Sequence, residues 1–116
     1  MDRTALLAGV ALFDTGRYFE AHEVWEGPWL TEQDPEVRRF LQALIQLAAG
    51  FHKLRSPAGE APSASLLRKA IAKLADLPDE LQGIDVASLR QAAREWEASL
   101  GSGAPPAIGH IVRVVL

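Results

Sequence analysis

Apolar positions recur at steps of three and four from the start of the chain. Leu6, Val10 and Phe13 form one such stripe, and it predicts a first helix over residues 3–14. Asp14-Thr15-Gly16-Arg17 supplies turn chemistry, with Gly16 able to take a positive φ. A second helix is predicted over residues 17–26, stopped by Gly27-Pro28. Asp34 reads as the N-cap of a third helix with Pro35 at its first position, where a missing N–H is harmless. That helix is predicted to run to about Leu54. Its middle, Phe40 to Phe51, is apolar nearly all round, the mark of a central buried helix.

Residues 56–62 read as a Pro- and Gly-containing loop, followed by a fourth helix from Ser63 to Leu77. Leu67, Ala70, Ile71 and Leu74 are its inward positions, and Pro78 ends it. Asp85 caps a fifth helix whose stripe is Val86, Leu89, Ala93, Trp96 and Leu100. Residues 101–106 are a flexible break. Beyond it, five of the chain's twelve Val and Ile residues fall within the eight positions from Ile108 to Val115, a composition that favours extended structure. The prediction is an all-α bundle of about five helices over residues 1–100, with an extended apolar tail over 101–116. Such a tail can dock on its own bundle, pair with a second copy to give a homodimer, or stay loose.

Composition agrees with one globular domain: 116 residues, 48% hydrophobic and 23% charged. Cysteine is absent, which removes thiol nucleophiles, thiolate metal sites and disulfides together. The net charge of −3 argues against nucleic acid and against anionic membranes. The longest apolar stretch is broken by Gln42 and Gln46 and is too short to span a bilayer. With Asp2 set against a secretory leader, a soluble cytoplasmic protein is expected. Charge is unevenly spread. Six acidic residues and no basic one lie between Glu20 and Glu36, either a solvated face or a site for a cation or basic partner.

The densest reactive cluster runs from Tyr18 to Glu26. On a helix, Tyr18, His22 and Glu26 follow at four-residue steps, with Trp25 beside them and Trp29 one turn on. A His–Glu pair one turn apart can chelate a divalent metal, or the carboxylate can fix the imidazole's tautomer. The pattern resembles the zinc-protease arrangement of two histidines around a glutamate, with Glu26 where the second histidine would stand. A third ligand must then come from elsewhere, and His52 is the first candidate, His110 the second. In that reading His22, Glu26 and His52 hold the metal of a hydrolase and Glu23 activates water. Glu23 points about 100° away from His22 around the helix, which weakens the role.

Gln42 and Gln46, one turn apart on an apolar helix, either reach solvent or face polar groups across a small pocket between helices two and three. The other reading is therefore a non-enzymatic module that binds a protein or small-molecule partner. Its candidate residues are Tyr18, His22, Glu23, Trp25, Glu26, Trp29, Gln42, Gln46 and His52. No Gly-rich phosphate loop or serine elbow is present.

The run from Gly9 through Gly16-Arg17-Tyr18 to Trp25 resembles a tetratricopeptide helical hairpin, with glycines permitting close approach and aromatics wedged between helices. A closer resemblance is to the small helical proteins grouped as domain of unknown function family 309. It is carried by Gly16, Tyr18, Glu20, His22-Glu23, Glu26 and Trp29, then Phe40-Leu41-Gln42, Ala48-Ala49 and His52, then Leu66-Leu67, Ala70, Leu74 and Gly83-Ile84-Asp85. The resemblance implies an all-helical bundle sharing a polar cluster at His22, Glu23, Glu26, Gln42 and His52. It implies no activity, substrate or cofactor, and it leaves the tail outside.

Overall fold

The computed structural model describes residues 3–57 and 59–100. The tail from residue 101, with its expected extended form and its homodimer contact, lies outside the described residues, as does His110. Five helices follow in order: α1 (Arg3–Asp14), α2 (Tyr18–Thr31), α3 (Pro35–Leu54), α4 (Glu60–Ala75) and α5 (Val86–Ser99). Each packs chiefly on its neighbours in sequence, which puts α3 between α2 and α4. No helix among the described residues is long and apolar enough to cross a membrane.

Local signals set several ends. The Asp34 carboxylate accepts from the Glu36 and Val37 amides, with Pro35 opening α3 as expected. Asp85 likewise accepts from the Ser88 amide and opens α5. Gly16 takes φ +82° in the α1–α2 turn, where Arg55, the C-cap of α3, donates to its carbonyl at 2.8 Å and lies over the Tyr18 ring. A loop and turn thus become a three-element joint.

Two predicted boundaries are corrected. Helix α2 does not stop at Gly27-Pro28 but continues to Thr31 with Pro28 inside it. The proline removes one amide and crowds the carbonyl four residues back, at a cost of roughly 3 kcal/mol. Contacts from α3 offset this: Arg38 Nε donates to the Trp29 carbonyl at 3.2 Å, and its guanidinium lies 4.7 Å from the Trp29 ring centre. Helix α4 begins at Glu60 rather than Ser63, so Pro62 stands inside its first turn. First-turn amides have no intrahelical partner, and proline is tolerated there. Between α4 and α5 a small antiparallel pairing, β1 (Glu80–Leu81) with β2 (Ile84–Asp85), turns through Gln82 and Gly83, both at positive φ.

The core runs the length of α3. Phe40, Leu41, Leu44, Leu47 and Phe51 are fully enclosed by Leu6 and Phe13 of α1, Trp25 of α2, Leu67 and Leu74 of α4, and Leu89 of α5. The Trp25 indole donates to the Leu6 carbonyl at 3.1 Å, which satisfies its N–H inside the core.

Candidate functional site

The outer cleft between α2 and α3 gathers most of the polar residues singled out from the sequence. Three cavities follow one another along it. The first, of about 220 Å³, is lined by Phe19, His22, Ala49, His52 and Lys53. The middle one, about 240 Å³, is lined by Glu26, Trp29, Gln42, Ile45 and Gln46. The third, about 550 Å³, shares Gln42 and extends past Leu30, Gln33, Arg38 and Arg39. The order ascends along α2 and descends along α3, so the two helices run antiparallel with the cavities between them. From Phe19 to Thr31 the helical rise gives the α2 wall of the cleft a length of about 18 Å.

Polar atoms in the cleft are incompletely paired. His22 Nε2 and Glu26 Oε1 are 3.2 Å apart, a turn-to-turn contact on α2. The other imidazole nitrogen, His22 Nδ1, is buried with no partner among the described residues. The same holds for Trp29 Nε1 and Gln46 Oε1. A buried donor or acceptor left unpaired costs on the order of 1–3 kcal/mol. All three belong to residues that line the cleft.

Apolar groups are exposed on the same side. Phe19 is 51% and Leu30 67% exposed, the two large hydrophobic side chains so placed among the described residues. Phe19 also organises the first cavity: its ring centre is 6.1 Å from that of His22, nearly parallel, and 5.3 Å from that of His52. The imidazoles thus share an aromatic neighbour. Among the described residues no three His, Asp or Glu side chains form a group able to hold a metal ion. The ligand set His22, Glu26 and His52, with Glu23 as base, is not assembled. The reason is geometric: His22 reaches Glu26 along its own helix, whereas His52 meets the face of Phe19. Glu23 is exposed on α2 outside the three cavities.

Two further candidates face inward. Tyr18 is 4% exposed and Trp25 fully buried. Tyr18 packs against Phe13 and Phe51. Burial raises its phenol pKa, while Arg55 lowers it and Asp14 raises it to smaller extents. Both are core residues and not parts of a ligand surface. The pattern of four-residue steps missed this because each step overshoots a full turn by about 40°, so Tyr18 and Glu26 drift about 80° apart. The core stripe on α2 is Tyr18, Ala21 and Trp25.

Sequence reasoning also missed Phe19, Leu30, Ile45, Arg38 and Lys53. Phe19 was legible as the residue three before His22 on the same face. Leu30 was hidden by ending the helix too early.

Comparison with known proteins follows this geometry. The family model described as Domain of unknown function (DUF309) matches residues 6–61, which contain α2, α3 and most of α1, and thus the whole cleft. A conserved hypothetical protein from Thermus thermophilus, known from its crystal structure, is 42% identical. The similarity covers 80% of this chain and 95% of that one, with a TM-score of 0.67. An uncharacterised protein of Aquifex aeolicus (strain VF5) is 24% identical over 101 residues, covering 87% of this chain. The matched part is 30% of that relative's length.

Proposed function

Since the chain belongs to the family described as Domain of unknown function (DUF309), whose matched relatives are uncharacterised, we propose its role from its own cleft. The protein is a binding module that takes an extended, apolar and basic segment of another protein between α2 and α3. The carrying observation is the coincidence of two exposed hydrophobic side chains, Phe19 and Leu30, with a line of cavities holding unpaired polar atoms. Exposed apolar groups rimmed by polar ones are the usual anatomy of an interaction surface.

Charge supports the kind of segment. Glu26 is the one formal charge lining the middle cavity, whereas Lys53 stands at the first and Arg38 and Arg39, with Glu32, at the third, so a basic group is favoured at the segment's centre. Length supports its form. About five or six extended residues span the roughly 18 Å of the cleft's α2 wall. A cytoplasmic setting belongs to the same reading: the chain has no cysteine, so its fold owes nothing to an oxidising compartment.

Labelled short peptides test it by fluorescence anisotropy, one set alternating leucine with lysine and a matched set alternating leucine with glutamate. The basic set should bind, and bind less tightly as salt rises. The double variant Phe19→Ala/Leu30→Ala should bind at least about tenfold more weakly. Both side chains are exposed, so its melting temperature should hardly change. Equal binding of the acidic set, or unchanged binding by the double variant, would sink the reading.

A further inference from the structure

We infer that the middle cavity of the cleft is a receptor for a primary ammonium group with an acceptor oxygen beside it. This rests on the reading of the cleft as a binding surface and names what its centre recognises. The ammonium belongs either to a free small amine that carries a carbonyl or to the amino terminus of the bound segment; the chemistry is shared.

The lining of the cavity is complementary to such a group. Glu26, Trp29, Gln42, Ile45 and Gln46 line the cavity, and the carboxylate of Glu26 is the sole formal charge among them. His22 contacts one oxygen of that carboxylate, Oε1. Gln46 Oε1 is a buried acceptor without a donor. Two acceptors, one of them charged, suit a group that carries several N–H donors and positive charge. An anion would meet like charge and a carbonyl-type oxygen. Trp29 Nε1 is a buried donor without an acceptor, which an ammonium by itself leaves unpaired. A carbonyl oxygen next to the ammonium supplies the missing acceptor. Ile45 offers an apolar wall to the carbon between the two polar ends. The cavity volume of about 240 Å³ admits a group of that size. An indole N–H cannot ligate a metal, so a bare cation leaves the Trp29 donor as it is.

The Trp29 indole resonance in a ¹H–¹⁵N spectrum is the readout, with the Trp25 indole, bonded to the Leu6 carbonyl inside the core, as internal reference. The probes are alaninamide, N-acetylalaninamide and a short leucine–lysine peptide with a free amino terminus. Alaninamide or the peptide should shift the Trp29 signal to saturation, while N-acetylalaninamide, which lacks the charge, should not. Glu26→Gln keeps size and shape but removes the charge, and should weaken the response at least about tenfold. Much tighter binding of the peptide assigns the ammonium to a protein segment, and similar affinities assign it to a free amine. Equal shifts from the acetylated probe, or an unchanged response in Glu26→Gln, would overturn the inference. So would a Trp29 signal that none of the probes moves. The broader cleft reading fails on a different result, the indifference of peptide binding to Phe19 and Leu30.

Discussion

Phe51→Ala is expected to cost about 3–5 kcal/mol, enough to remove much of the stability of an ordinary domain. The side chain is fully buried, and its ring joins helices that are distant in sequence. It lies 5.7 Å from Phe13 of α1 and 5.2 Å from Trp96 of α5, both nearly edge-to-face, and 5.5 Å from Tyr18 of α2. Truncation removes the apolar transfer term and leaves a void that these rigid rings cannot collapse into. Urea unfolding followed by circular dichroism measures the loss. Phe51→Leu, which keeps most of the volume, should lose clearly less. A loss below about 1 kcal/mol for the alanine variant would mean that the rings do not meet as described.

Gly9→Ala should destabilise by about 2–3 kcal/mol, although alanine is the better helix former by about 1 kcal/mol. A Cβ at residue 9 would stand 2.7 Å from Trp25 Cδ1 and closer still to Nε1 and Cε2. The obstacle is a rigid, fully buried indole, which cannot swing aside without breaking its hydrogen bond to the Leu6 carbonyl. A double-mutant cycle with Trp25→Phe isolates the contact. The two changes together should cost at least about 1 kcal/mol less than their sum, because the smaller ring relieves the clash. Strict additivity would show that Gly9 is not pressed against Trp25.

These contrasts show which parts of the fold were legible along the chain. Asp34-Pro35 and Asp85 were readable as helix starts because a cap is a local device: a carboxylate reaching amides two or three residues on. The central position of α3 was readable because its apolar residues nearly encircle the helix. Pro28 misled for the opposite reason. Its local cost is real, and it is Arg38, ten residues later, that holds the last turn of α2. Pro62 could have been read correctly, since a first-turn proline breaks no helical hydrogen bond.

The candidate site divides in the same way. The helices, the buried side of α3 and the presence of a polar cluster on α2 and α3 follow from the chain alone, because periodicity and capping act over a few residues. Which members of the cluster meet follows from the packing of the helices. Helix crossing sends Tyr18 and Trp25 into the core, leaves His52 against Phe19, and closes Glu26, Trp29, Gln42 and Gln46 around one cavity. Spacing along a helix fixes which residues share its face. It does not fix which face of the next helix they confront, since that depends on packing summed over the whole core.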